Sequence, residues 1–307
     1  MNSTDVHIEE NGPRDGLQNE KGAFTLQERV HLIDHLSRCG FPRIQVGSFV
    51  DPRRVPQMAH TDKLFQLIHR NPHVTYSALI LNRHGLQRAV DCGVEHLSTF
   101  ASASEAHSLK NNNCSVEKGT ERVVSLITDC RERGVRVQAG VMSVFGCQTE
   151  GAIPIDRVLA MVSRFLEAGA EEINLADTSG FANPRQLKEV LLEVQGICSL
   201  PLRLHLHDTY GFGMANIYAA WEMGIRRFDT SCGGLGGCPF IPRASGNLPT
   251  EDVVHFFEAM GCSTGIDLGE LVTVVAGLET KLGRTLPGRF SHLPSFDVSK
   301  PACIPTR

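Results

Sequence analysis

The stretch Arg131–Glu132–Arg133–Gly134–Val135–Arg136–Val137–Gln138–Ala139–Gly140–Val141 runs from the end of an amphipathic helical pattern, through one glycine, into a β-rich run. A helix stopped by a residue that tolerates the left-handed conformation, and followed at once by a strand, is the joint of an alternating α/β fold. The joint recurs as SRCGFPRIQVG at Gly40, VDCGVEHLSTF at Gly93, LEAGAEEINLA at Gly169 and WEMGIRRFDTS at Gly224. DVHIEE (5–10), HVTYSALI (73–80) and LRLHLH (202–207) add three strand patterns without the glycine. Eight strands are therefore expected, beginning near residues 5, 43, 73, 95, 135, 171, 202 and 226. Helical patterns such as Leu26–Arg38, Thr120–Arg133, Ile155–Glu167 and Pro184–Val194 lie between them. This alternation implies parallel pairing with right-handed crossovers. Eight such units in roughly 230 residues fit a closed (β/α)8 TIM barrel better than an open doubly wound sheet. No GxGxxG follows the first strand, which counts against a dinucleotide-binding fold. Glu251–Met260 closes the eighth unit, and Leu268–Leu282 is a helical appendage. Residues 1–307 read as one catalytic α/β domain, a barrel over about 5–262 with an appendage and tail over about 263–307.

Hydrophobic residues make up 41% of the 307-residue chain and charged residues 21%, ordinary globular usage that excludes wholesale disorder. No window approaches the roughly 20 apolar residues of a membrane span. Met1–Asp5 lacks the basic and apolar regions of a signal peptide, so a soluble, cytoplasmic protein is expected. A formal net charge of −4 supplies no global attraction to nucleic acid or to an acidic membrane. The ten cysteines include no CxxC pair and read as reduced thiols, with Cys39, Cys92 and Cys130 filling core space at helix ends.

In such a barrel the chemistry gathers at the carboxyl ends of the strands. Gly12–Pro13–Arg14–Asp15–Gly16 follows the first strand, and the seventh ends in His205–Leu206–His207–Asp208. Gly233–Gly234–Leu235–Gly236–Gly237–Cys238–Pro239 and then Ser245–Gly246–Asn247 follow the eighth. Strands seven, eight and one are neighbours once a barrel closes, so these segments meet in one sector. His205 and His207, two apart on a strand, project to one face. An isolated HxH is more often a pair of core or surface histidines. Here the strand-end position and the converging Asp15 and Asn247 make ligation the stronger reading. Two imidazoles, a carboxylate and an amide oxygen suit a divalent ion such as Mg²⁺ or Mn²⁺, leaving two octahedral positions for substrate. Arg14 can direct a permanent cation at a developing oxyanion, or make a surface salt bridge. Cys238, among glycines, reads as a proton-exchanging thiol on a closing loop, against a chance loop cysteine. The glycines by themselves could equally cradle a phosphate.

Together these segments resemble the 3-hydroxy-3-methylglutaryl-CoA lyases, within the wider group of metal-dependent barrel lyases and acyl-CoA condensing enzymes. The matching stretches are GPRDGLQNEK (12–21), SFVDPRRVPQMA (48–59), NNNCSVEK (111–118), FGCQTEG (145–151) and INLADTSG (173–180). HLHDTYG (205–211), GLGGCPF (234–240) and ASGNLPTED (244–252) complete the set. The resemblance implies Asp15, His205, His207 and Asn247 as metal ligands and Arg14 as the group at the enolate oxygen. It implies Cys238 as a catalytic thiol, Asp177 as an acidic residue near the substrate hydroxyl, and a homodimer. The implied reaction breaks a carbon–carbon bond of a 3-hydroxyacyl-CoA, with His205 or Asp15 as the base, and yields acetyl-CoA and a keto acid.

Two positions depart from the resemblance. Gln45 stands where the family pattern carries a glutamate, which removes a negative charge beside Arg14 and makes Gln45 a candidate substrate-reading residue. Asn11 stands where the family is usually apolar. The expected function is cleavage of 3-hydroxy-3-methylglutaryl-CoA to acetyl-CoA and acetoacetate. The alternatives are a lyase or aldolase on a related, malyl-type thioester, and a non-catalytic barrel that only binds.

Overall fold

The computed structural model describes residues 5–20, 24–236 and 246–293. Strands β1 (His7–Glu10), β2 (Arg43–Ser48), β3 (Thr75–Leu79), β4 (His96–Ser102), β5 (Arg136–Met142), β6 (Glu172–Ala176), β7 (Leu202–His205) and β8 (Arg227–Thr230) close in sequence order into a barrel. All neighbours pair in parallel, and β8 returns to β1 in the register Glu10↔Thr230. The helices between them are α1 (Leu26–Arg38), α2 (Thr61–Leu67), α3 (Arg83–Asp91), α4 (Glu105–Asn112), α5 (Val116–Glu132), α6 (Ile155–Ala168), α7 (Pro184–Ile197) and α8 (Gly213–Glu222). Then follow α9 (Thr250–Ala259) and α10 (Leu268–Leu282). Among the described residues no helix is long and apolar enough to cross a membrane.

The joints behave as their chemistry requires. All five glycines take positive φ, from 66° at Gly93 to 96° at Gly169. Gly40 is doubly constrained, because its φ is 89° and a Cβ there would sit 2.4 Å from the carbonyl oxygen of Gly265. Several boundaries differ from expectation, α7 for instance running past Val194 to Ile197, and two of the differences bear on the site or have a clear cause. The helix expected over Thr120–Arg133 begins a turn earlier, at Val116, because the Ser115 hydroxyl accepts the Lys118 N–H and caps it there. The seventh strand ends at His205, and His207 lies beyond it in an isolated antiparallel bridge to Asn247.

The barrel is polar inside. Outward-facing Ile8, Ile44, Leu97, Val137, Ile173, Leu175, Leu204 and Phe228 join the hydrophobic layer beneath the helices. The alternate positions are polar or charged, and pleating turns them inward. There the Glu172 carboxylate accepts from Arg43 at 2.9 and 3.1 Å, from Arg227 at 2.9 Å, from Gln138 at 3.1 Å, and from Arg203. Glu9 pairs with Arg43 at 2.7 Å. Burial alone would raise the Glu172 pKa, but Arg203 and Arg43 outweigh it and hold the carboxyl well below the usual range. Removing one partner from such a network strands the others without compensation. Glu172→Gln is therefore expected to lower the unfolding free energy by about 3–5 kcal/mol. Chemical denaturation monitored by circular dichroism would check this, and a loss within the range of surface substitutions would show the network to be dispensable.

Candidate active site

Asp15 is presented by a single π-helical turn, Gly12–Gly16, directly after β1. The Asn11 carbonyl accepts the N–H groups of Arg14, Asp15 and Gly16 at 3.1, 2.8 and 3.2 Å, curling the chain over the barrel mouth. The turn must start with glycine, because a Cβ at position 12 would lie 2.6 Å from Glu10 Oε1 and 2.7 Å from Cys232 Sγ. From β7, two strands away round the barrel, come His205 and, just past the strand's end, His207, whose Nε2 atoms face each other at 3.1 Å. His205 Nε2 lies 3.9 Å from Asp15 Oδ2. One ligand atom from each of Asp15, His205 and His207 falls within 4.8 Å of the others, a set that could hold a metal ion. Asn247 reaches the same focus, but it turns its amide nitrogen to Asp15 Oδ2 at 2.8 Å and to the Leu235 carbonyl at 2.9 Å. Its oxygen, the atom expected to ligate, faces His207.

The electrostatics follow from depth. Burial opposes the charge on Asp15, but Arg14 and His205 overcome it and keep the carboxyl ionised well below its usual range. Burial and then the neighbouring His205 push His207 down to about 4, so it is neutral and able to donate its lone pair. His205 is aimed from behind. Its Nδ1 lies 3.4 Å from Asp229 Oδ2, which also accepts from Asn174 Nδ2 at 2.8 Å. A carboxylate behind the imidazole fixes the tautomer that leaves Nε2 facing the focus.

Arg14 bonds Asp15 through one guanidinium nitrogen, while its Nε donates to Gln45 Oε1. Gln45 in turn donates to Ser98 Oγ at 3.1 Å. Gln45 thus reaches the site through Arg14. Asp177, directly after β6, is wholly buried; its Oδ2 accepts the Ala182 N–H at 3.1 Å and its Oδ1 has no partner. Burial pushes its pKa up to about 7. Cys238 lies outside the described residues.

Three groups escaped the sequence reading. Asp229, Arg203 and Glu172 form the chain that supports His205 from within the barrel. The signal for them was present: RIQ, EIN, LRLH and RFD each alternate a polar with an apolar residue, where a packed barrel interior would be apolar on both phases. Glu10 and Glu251 were missed as well. Glu10 accepts the Gly12 and Cys232 N–H groups at 2.6 and 2.9 Å and the Thr250 hydroxyl at 2.7 Å. Glu251 accepts the Gly233 N–H at 3.0 Å. The two carboxyls pin both site turns from behind.

The family model described as HMGL-like matches residues 5–276. The chain is 40% identical over 279 residues to the hydroxymethylglutaryl-CoA lyase of Pseudomonas mevalonii, covering 91% of this chain and 93% of that protein. It is 38% identical over 293 residues to the (R)-citramalyl-CoA lyase of Chloroflexus aurantiacus, covering 92% of each. A solved HMG-CoA lyase from Acinetobacter baumannii, in complex with coenzyme A and 3-methylmalate, superposes with a TM-score of 0.90 at 38% identity over 95% of both chains. Barrel and polar mouth thus define a carbon–carbon lyase of the (β/α)8 class. The chain belongs to the HMGL-like family, among the hydroxymethylglutaryl-CoA lyases and their relatives.

The carboxyls behind the turns make stability depend on pH. Burial raises Glu10 to about 7 and Glu251 to about 8, from an ordinary 4.5. The native state thus keeps protons that the unfolded chain releases. The stability they contribute is complete below about pH 4.5 and is lost as pH rises through about 7 to 8. Glu251→Gln, neutral at every pH, is expected to stabilise the protein by on the order of 2 kcal/mol near pH 8.5 and by little near pH 5. Denaturation midpoints at both pH values test this, and equal shifts at the two would refute it.

Proposed function

We propose that this enzyme cleaves a 3-hydroxyacyl-CoA thioester by a retro-Claisen reaction that needs a divalent cation, Mg²⁺ or Mn²⁺. The observation that carries the reading is the focus of Asp15, His205 and His207 ligand atoms within 4.8 Å, beside the Arg14 guanidinium. The simplest substrate is 3-hydroxy-3-methylglutaryl-CoA, giving acetyl-CoA and acetoacetate. The names of the Pseudomonas mevalonii and Acinetobacter baumannii relatives support this choice, and the latter's bound coenzyme A supports a thioester substrate. We place the enzyme in the cytoplasm as a homodimer.

The donor set fits the cation: one ionised carboxylate, one neutral imidazole, a second imidazole whose Nε2 is aimed by Asp229, and the Asn247 amide oxygen. When bound, the cation supplies Lewis-acid chemistry that acidifies the carbinol hydroxyl of the substrate. Every other task falls to the chain. Asp177, with a free Oδ1 and a pKa of about 7, is matched to accept the hydroxyl proton. Asp15 is too weakly basic for that role, and His205 Nε2 would be taken up in holding the cation. As the carbinol oxygen becomes a ketone, the carbon–carbon bond breaks and its electron pair passes into the thioester half as an enolate. Arg14 stands to hold the enolate oxygen, with Gln45 fixing its Nε. Cys238 returns a proton to the enolate carbon before acetyl-CoA leaves.

A second reading, cleavage of a related malyl-type thioester, is favoured by Gln45. Its neutral oxygen binds Arg14 without offsetting the guanidinium's charge, so the single carboxylate of a malyl-type thioester, carried on the carbinol carbon itself, is attracted more strongly. The (R)-citramalyl-CoA lyase among the relatives accords with a family of varied acyl groups.

A panel of hydroxyacyl-CoA thioesters, with released products identified by mass, decides between the two. Turnover is expected to cease on exhaustive chelation and to return with Mg²⁺ or Mn²⁺, and the His205→Ala/His207→Ala variant is expected to lose tight Mn²⁺ binding; full activity after chelation would defeat the metal role. Gln45→Glu is expected to raise kcat/KM for the methylglutaryl thioester about tenfold, equivalent to about 1.4 kcal/mol. A native enzyme that is already efficient, and a variant that is worse, would reduce Gln45 to a neutral substitution.

A further inference from the structure

Asn11 is fully buried, and neither its Oδ1 nor its Nδ2 has a hydrogen-bond partner. Its direction follows from the pleat. Glu9, two residues before it, points into the barrel, where it meets Arg43 at 2.7 Å and the Ser77 hydroxyl at 2.5 Å. Glu10 points outward to Cys232 and Thr250. Asn11 therefore points inward again, one layer above Glu9. The register Glu10↔Thr230 and Glu10↔Ile44 sets Asn11 level with Ser231 on one side and Gln45 on the other. Ser231 Oγ is likewise buried without a partner. Next in the chain, after Gly12 and Pro13, come Arg14 and Asp15. Glu9, one layer below, and Gln45, on the same level, have protein partners. Asn11 and Ser231 have none, and Asn11 immediately precedes the turn that carries Arg14 and Asp15.

A buried amide with both ends unmet is costly and is rare unless something else meets them. We infer that Asn11, with Ser231 beside it, forms an uncharged subsite that reads a hydroxyl on the acyl group, additional to the carbinol hydroxyl. An amide both donates and accepts, as does a hydroxyl, so the pair is matched in both directions. A carboxylate, which only accepts, would leave Asn11 Oδ1 unmet. The subsite would favour acyl chains bearing this extra hydroxyl over those with hydrogen or methyl in its place. A site built around such a bond penalises the analogue lacking it, because its own polar atoms then stay unpaired. This inference rests on the lyase reading for its substrate class, but not for its geometry.

The test uses matched thioesters, 3-hydroxy-3-methylglutaryl-CoA and its 3-hydroxymethyl counterpart, with the full-length protein and two variants. Asn11→Leu keeps the branched heavy-atom skeleton and removes both polar atoms, and Asn11→Thr supplies one hydroxyl in their place. Calorimetric affinities are measured beside kcat/KM. The native protein is expected to prefer the hydroxymethyl thioester at least tenfold. Asn11→Leu is expected to abolish that preference, retain affinity for the methyl thioester, and melt at a higher temperature; Asn11→Thr should fall between. An unchanged affinity ratio in Asn11→Leu, or no preference in the native protein, would overturn the subsite and leave Asn11 a structural amide. If neither thioester is cleaved but the affinity ratio behaves as expected, the subsite stands and the lyase reading falls.

Discussion

Glu172 gathers three guanidinium groups, those of Arg43, Arg203 and Arg227, on one carboxylate inside the barrel. A (β/α)8 barrel is ordinarily filled by branched apolar side chains. Here the filling is ionic, and its geometry is directional rather than merely dense. Arg203 also meets Asp229 at 3.3 Å, and Asp229 lies 3.4 Å from His205 Nδ1. Thus the charge balance at the centre sets the orientation of an imidazole at the mouth. Replacing such a network by apolar residues can leave stability intact. It would also remove what orients His205. The polar interior is best understood as the foundation of the site.

The second constraint is the pair of turns that carry Arg14, Asp15 and the glycine segment. Both hang from carboxyls buried behind the wall, Glu10 under Gly12 and Cys232, and Glu251 under Gly233. Backbone N–H groups need acceptors when they leave the strand ladder, and these carboxyls supply them. The close approach admits no side chain at Gly12, and a Cβ at Gly288 would lie 1.8 Å from Glu251 Oε1. Packing of this kind converts two flexible sequences into a defined rim.

Charge at the rim is divided by environment. Asp15, its side chain one-fifth exposed, stays ionised beside Arg14 and His205, whereas burial raises Asp177 to about 7 against the pull of its backbone N–H partners. Two carboxyls held in opposite protonation tendencies can do different work, one holding a cation and the other moving a proton. Gln45 modulates the same balance without a charge of its own, through the bond to Arg14 Nε.

Much of this was readable in the chain. The helix–glycine–strand joints carry the barrel topology, because a left-handed stop and a strand start are local events that depend on nearest neighbours. The convergence of Asp15, His205, His207 and Asn247 followed once strands seven, eight and one were taken as adjacent. Strand length was less legible: nothing local in LRLHLH marks where the ladder gives way to the bridge between His207 and Asn247, since that depends on a segment 40 residues away. Inward or outward facing was also open, because an alternating strand has the same pattern whichever face meets the helices. Only closure of the barrel put Arg43, Glu172, Arg203 and Asp229 in one interior and gave His205 its tautomer, and only closure left the Asn11 amide buried without a partner. Local chemistry thus set the elements and their order, whereas burial and pairing across the barrel set what each polar side chain faces, because desolvation and ion pairing depend on distances that no single stretch of chain contains.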